Sequence, residues 1–108
     1  FQTGSTACGL RIGLTYPAAT IVSAVGEIPF AVEGAGGQFQ GTIHVSGGVV
    51  TSTAVVFTNT TYYANIEGSI MTSANGNLAL VYASEISTAQ GAGISIRNGT
   101  CGFLYTVA

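Results

Sequence analysis

The chain has 108 residues, a formal net charge of −2 and a charged fraction of 6%, where about 25% is typical of globular domains. Its hydrophobic fraction of 47% argues against disorder, which combines low hydrophobicity with high net charge. With two Lys or Arg residues, it lacks the basic surface that nucleic acids and anionic membranes require. Apolar runs are too short for a transmembrane helix, so we expect one domain, residues 1–108, without a membrane span.

Apolar and polar residues alternate with a period of two along much of the chain, which is typical of half-buried β-strands. In the first such segment, Cys8, Leu10, Ile12 and Leu14 share one face. We expect eight or nine short strands in all. In chain order they lie at about residues 8–15, 18–25, 28–33, 38–46, 49–58, 66–73, 78–86, 92–97 and 100–107.

Glycine and asparagine mark the turns between these strands. The pairs Asn75-Gly76 and Asn98-Gly99 predict two hairpins, because both central residues of a type I′ turn need a positive φ. They would join 66–73 to 78–86, and 92–97 to 100–107. No segment is a good helix candidate; the best, Ser84 to Gln90, is short and is followed by Gly91.

Short strands at even spacing predict an all-β fold, a single antiparallel β-sandwich of jelly-roll or immunoglobulin-like type. The two cysteines, Cys8 and Cys101, have no metal-binding spacing. We therefore expect one disulfide joining the first and last strands, worth about 4.7 kcal/mol for a loop near 100 residues in the chain-entropy model. Residues 1–7 lie outside that loop and form a candidate extended N-terminal segment.

Three features favour an extracellular or cell-surface protein. The sequence starts at Phe1, as a chain does after its signal peptide is removed. A disulfide implies an oxidising compartment. The sequons at Asn59 and Asn98 are candidate N-glycosylation sites.

Residues that might carry catalysis are sparse, and we expect no enzyme, metal or cofactor. His44 is the single histidine, and no Asp or Gly-x-Ser-x-Gly motif accompanies it. Glu27 and Glu33 resemble a glycosidase carboxylate pair, but isolated surface charges explain them better. The Gly-rich run Gly34 to Gly37 lacks the Lys and the helix of a phosphate loop, so we interpret it as a hairpin loop.

Two surface features remain. Tyr62 and Tyr63 are adjacent and should point to opposite faces of a strand. One should lie in the core, and the other is a candidate contact for a sugar or a neighbouring subunit. The surface is rich in Ser and Thr and has no Lys, the residue that commonly protects edge strands from pairing. This composition favours a chain that associates, or one that glycans keep soluble.

In general composition the chain is similar to subunits of extracellular β-rich filaments, in which one subunit donates a strand to the next. It differs from chaperone–usher pilins, whose cysteines are closer together. The first functional hypothesis is therefore a structural subunit of an extracellular filament or coat, with Phe1–Ala7 or Phe103–Ala108 as the donated segment. The second is a secreted carbohydrate- or protein-binding module. The third, a small secreted hydrolase, lacks a triad, dyad or metal set.

Overall fold

The computed structural model describes residues 1–3, 8–29, 38–52, 59–85 and 94–105. Within these ranges the secondary structure is all-β, without a helix, and every strand pairing is antiparallel. The predicted all-β antiparallel class is confirmed. The strands are β1 (Gln2–Thr3), β2 (Leu10–Thr15), β3 (Ala19–Pro29), β4 (Gln38–Ile43), β5 (Val49–Thr51), β6 (Asn65–Thr72), β7 (Ala79–Ser84) and β8 (Ile94–Ser95).

The strands form two three-stranded sheets and one two-stranded sheet. The first has the order β5-β2-β7, and the second has the order β4-β3-β6. The small sheet pairs β1 with β8. Strands that follow each other in the chain often lie in different sheets. The chain passes from β4 to β5, and again from β6 to β7, and each time it crosses from the β4-β3-β6 sheet to the β5-β2-β7 sheet.

Both three-stranded sheets supply side chains to one buried core. The alternation in β2 buries Leu10 and Ile12, as the sequence predicts, and Ile12 lies opposite Val50 on one side and Tyr82 on the other. The other sheet contributes Ala24, Ile28 and Ile43. The full cluster of buried core residues comprises Phe1, Leu10, Ile12, Ala24, Ile28, Ile43 and Val50.

Two glycines allow the sheets to approach closely. A Cβ at Gly26 would lie 2.9 Å from Cγ2 of Val50, and a Cβ at Gly41 would lie 3.2 Å from the same atom. Val50 belongs to β5, whereas Gly26 and Gly41 are paired neighbours on β3 and β4. The side chain of Val50 thus packs directly on the backbone of the opposite sheet, where a larger residue would separate the two layers.

The hairpin predicted at Asn75-Gly76 is wrong. β6 pairs with β3, and β7 pairs with β2, so the connection crosses from one sheet to the other. The described residues with a positive φ do not include Asn75 or Gly76, and a type I′ turn needs it at both. A Cβ at Gly76 would lie 2.8 Å from Cβ of Pro17. Close packing against Pro17 therefore accounts for this glycine better than a tight turn does.

The turn predicted at Asn98-Gly99 is present, but its hairpin is not. The N–H of Thr100 donates to the carbonyl oxygen of Arg97 at 3.2 Å, and Gly99 has a φ of 93°. A positive φ at the second central residue alone is the type II pattern, which does not match strand twist as type I′ does. Residues 100–105 accordingly form no strand after the turn.

Strand bounds also differ from the prediction in several places; for example, the strand expected at 38–46 ends at Ile43. The expected strands at 18–25 and 28–33 are one continuous strand, β3, which the structure ends at Pro29. The predicted residues 30–33, 53–58, 92–93 and 106–107 lie outside the described residues. So do the glycine run 34–37 and most of the helix candidate at 84–90.

Of the candidate extended N-terminal segment, residues 1–7, the structure describes residues 1–3, and these are held against the rest of the chain. Phe1 is buried, and its ring lies 5.7 Å from the ring of Tyr62. Its nitrogen donates to the carbonyl oxygen of Tyr62 at 2.7 Å, and the N–H of Tyr62 donates back to the oxygen of Phe1 at 2.7 Å. Gln2 and Thr3 then pair with β8. Sequence alone does not show this docking, because the partners are about 60 to 90 residues away in the chain.

The predicted disulfide is not formed. The structure does not join Cys8 to Cys101. Cys8 lies fully buried just before β2, whereas Cys101 is exposed in the segment that follows the 97–100 turn. The prediction assumed that Cys101 belongs to a terminal strand whose apolar face is buried. Residues 100–105 have no such strand pairing, so Cys101 is not held against Cys8.

Candidate functional site

The two described candidates for catalysis, His44 and Glu27, each make a hydrogen bond to a neighbouring polar side chain. His44 is exposed, and its Nε2 lies 2.7 Å from the hydroxyl of Thr42. Glu27 accepts a hydrogen bond from the Gln40 amide at 2.9 Å across the β3–β4 pair, and Glu33 lies outside the described residues. The described residues contain no group of three or more His, Cys, Asp or Glu side chains that could hold a metal ion.

One acidic residue has a role that the sequence analysis missed. The carboxylate of Glu85 accepts the backbone N–H of Gly9 at 3.0 Å, and its carbonyl oxygen accepts from the Arg11 guanidinium at 3.0 Å. Both contacts attach the end of β7 to the start of β2. Glu85 therefore has a structural role at the sheet margin.

Tyr62 and Tyr63 differ in burial, as the sequence predicts, although neither lies in a strand. Tyr62 is half-buried against Phe1, whereas Tyr63 is 74% exposed. Burial, and secondarily the positive charge of Arg97, lower the pKa of the Phe1 amino group. The sequon residues Asn59 and Asn98 are both exposed in turns, so their side chains are accessible; their glycosylation stays a prediction.

The most distinctive feature is a long apolar groove between the two three-stranded sheets. It opens between the edge strands β6 and β7, has a volume of about 720 Å³, and is called here the β6–β7 groove. Ligand pockets are typically about 300–1,000 Å³. Its lining includes Ile12, Leu14 and Leu80 from one sheet and Val22, Ile66 and Ile70 from the other. Leu80 is still 49% exposed, so the groove is open to solvent along this wall.

Backbone edges border the groove on both sides. Among the described strands, β6 pairs with β3 alone and β7 pairs with β2 alone. Each therefore presents an outer edge, and an edge strand exposes backbone N–H and C=O groups that another strand can pair with. The groove thus combines an apolar floor with hydrogen-bonding borders.

A buried hydroxyl in the groove has no partner within the described part of the chain. The phenol oxygen of Tyr16, a lining residue, is shielded from solvent and makes no hydrogen bond there. A buried polar group left without a hydrogen bond costs about 1–3 kcal/mol. The hydroxyl is shielded from solvent, so it does not face the open part of the groove.

The segment at the mouth of the groove is itself apolar and exposed. Residues 100–105, called here the C-terminal segment, line the groove without pairing to either edge. Phe103, Leu104 and Tyr105 are 80%, 76% and 78% exposed. Three adjacent large apolar side chains exposed to this degree are unusual for a protein that remains monomeric.

Charge is almost absent from this region. Among the lining residues that the structure describes, Glu67 is the one acidic or basic side chain, and it is exposed. A charged or strongly polar ligand would find little to pair with here. The chemistry of the groove suits an extended, uncharged and largely apolar occupant that also carries backbone-like hydrogen-bonding groups.

The groove was not predicted, because the sequence analysis placed β6 and β7 next to each other in one sheet. Comparisons with protein-family models, with curated proteins and with solved structures find no match to this chain. In the part of the chain that the structure describes, no helix is long and apolar enough to cross a membrane.

Proposed function

We propose that this protein is a structural subunit of an extracellular filament or coat, which assembles by β-strand addition between copies. The observation that supports the proposal best is the β6–β7 groove, an apolar cleft bordered by two edge strands. β-strand addition uses an open strand edge and an apolar cleft, because main-chain hydrogen bonds give affinity and pockets for alternate side chains give specificity.

The proposal takes the two sheets as halves of one β-sandwich of jelly-roll or immunoglobulin-like type. It also takes the chain as secreted and N-glycosylated, in line with the exposed Asn59 and Asn98. The 6% charged content supports assembly, because few like charges oppose the close packing of many copies.

Sedimentation velocity over a range of protein concentrations, with electron microscopy of the most concentrated sample, tests the proposal. We expect large linear species whose amount rises with concentration. Raising the ionic strength from about 0.1 to 1 M should change their amount little, because screening acts on exposed charges and not on apolar contacts. A protein that stays monomeric at every concentration contradicts the proposal.

A secreted carbohydrate- or protein-binding module is the second candidate, and the exposure of Tyr63 favours it. An exposed tyrosine ring offers an apolar face and a hydroxyl for stacking on a sugar. A glycan array probed with the protein and with a Tyr63→Ala variant distinguishes this candidate. A clear signal that the substitution abolishes supports this candidate. An array without signal rules out a carbohydrate-binding module.

A further inference from the structure

We propose that the β6–β7 groove is the acceptor site of this assembly and that its occupant is the C-terminal segment of a second copy. The inference rests on the proposed function and makes it specific. It names the acceptor strands, β6 and β7, and the donor, residues 100–105 with the chain that follows them.

The backbone edges of the groove select a peptide strand as the occupant. Among the described strands, β6 and β7 each present an outer edge at the groove. A lipid chain or another purely apolar ligand would leave these backbone groups unsatisfied. An extended peptide supplies N–H and C=O groups at regular spacing along its length, so it can pair with such an edge.

The absence of charge and the apolar alternation match the C-terminal segment to the groove. Residues 100–105 contain no charged side chain, and Cys101, Phe103 and Tyr105 alternate with other residues. On a strand these three share one face, which suits the apolar floor.

The described N-terminal residues already pack and pair within their own chain. Phe1 is buried, and Gln2 and Thr3 pair with β8. The N-terminal residues therefore are a poor donor, since donation would first remove Phe1 from the core. The choice between the two termini, which the sequence left open, favours the C-terminal one.

The presentation of the segment points to a second copy. The 97–100 turn is fixed by two hydrogen bonds to the carbonyl oxygen of Arg97, from the Thr100 N–H at 3.2 Å and its hydroxyl at 2.8 Å. Beyond this turn Phe103, Leu104 and Tyr105 extend into solvent. One conformation of the chain thus exposes an acceptor groove and a donor segment together. Such a contact is head-to-tail and need not close, so it extends into a filament.

Two variants that each remove one half of the contact test this inference. Phe103→Asp alters the donor at a side chain that is 80% exposed, and Leu80→Glu alters the acceptor at one that is 49% exposed. Each variant alone should raise the concentration at half-assembly at least about tenfold, as expected for an apolar anchor at an interface. Tyr63→Asp, at an exposed aromatic outside the groove lining, is the matched control and should assemble as the unaltered protein does.

Mixing the two altered proteins is the decisive step. The intact groove of the Phe103→Asp protein should accept the intact segment of the Leu80→Glu protein. The mixture should therefore form a one-to-one dimer that does not grow, measured by sedimentation velocity with one variant labelled. Circular dichroism and thermal melting check that each variant is folded. If Leu80→Glu fails to fold, a fluorescent peptide of residues 100–108 replaces it as the donor and should bind the Phe103→Asp protein.

The outcomes separate this inference from the proposed function. Assembly that survives both substitutions overturns the inference and leaves the proposed function intact. Unaltered protein that never assembles overturns both. A monomer in which both substitutions lower the melting temperature, and in which the peptide fails to bind, shows that each chain fills its own groove.

Discussion

The hydroxyl oxygen of Ser52 accepts a hydrogen bond from the backbone N–H of Leu10 at 2.8 Å, and both residues are fully buried. The N–H of Ser52 also donates to the carbonyl oxygen of Leu10 at 2.9 Å. Ser52 directly follows β5, so its side chain extends the pairing of β5 with β2 by one contact. This buried polar side chain is therefore part of the core.

Replacing Ser52 with Ala should lower the free energy of unfolding by about 1–3 kcal/mol, because the buried N–H of Leu10 loses its acceptor. Chemical denaturation measures the change. Ser73→Ala, at an exposed serine, is the matched control and should stay within about 0.5 kcal/mol of the unaltered protein. Equal unfolding midpoints for the two variants would contradict this role of Ser52.

The close approach of the two sheets at Val50 leads to a second prediction, about the cost of a side chain at Gly26. Gly26→Ala should destabilise the fold by about 1–3 kcal/mol, because the added methyl group overlaps Val50. In a Val50→Ala background the same substitution should cost clearly less, since the space is then available. A double-mutant cycle by denaturation measures the coupling. Strictly additive effects would show that the two residues do not limit the separation of the sheets.

The two cysteines should differ sharply in reactivity. Cys101 is exposed and Cys8 is fully buried, so a thiol reagent should modify one cysteine quickly in the folded protein and the second only on unfolding. Cys101→Ser should remove the fast phase. Failure of both cysteines to react, even after unfolding without reductant, would indicate a disulfide in place of the two thiols.

The Tyr16 hydroxyl should not stabilise the fold. It is shielded from solvent and makes no hydrogen bond with the described residues. Removing a buried hydroxyl that lacks a partner should leave stability unchanged or raise it, so Tyr16→Phe should not lower the melting temperature of the dilute protein. Tyr63→Phe, at an exposed tyrosine, is the control and should leave the melting temperature unchanged. A Tyr16→Phe protein that melts at a lower temperature would contradict this prediction.

The sequence predicted local structure well, because alternation reports which face of a strand is buried. The inward positions of β2 and the different burial of Tyr62 and Tyr63 agree with the prediction, and a turn is present at Asn98-Gly99, although not of the predicted type. Each of these properties depends on residues close together in the chain.

Partner choice between distant strands was not predictable in the same way. Asn75-Gly76 favours a hairpin locally, yet β6 and β7 separate into different sheets, where β6 pairs with β3 and β7 pairs with β2. The candidate site was missed for this reason, since the groove exists only because these strands do not pair.

The central claim is that a strand from another copy enters between β6 and β7. Amide hydrogen exchange, followed by mass spectrometry at increasing protein concentration, tests it most directly. Exchange should slow together in Asn65–Thr72, Ala79–Ser84 and residues 100–105 as assembly proceeds, because all three gain main-chain hydrogen bonds in one step. Slowed exchange in these segments at every concentration, the dilute monomer included, or assembly that leaves all three unprotected, would contradict the claim.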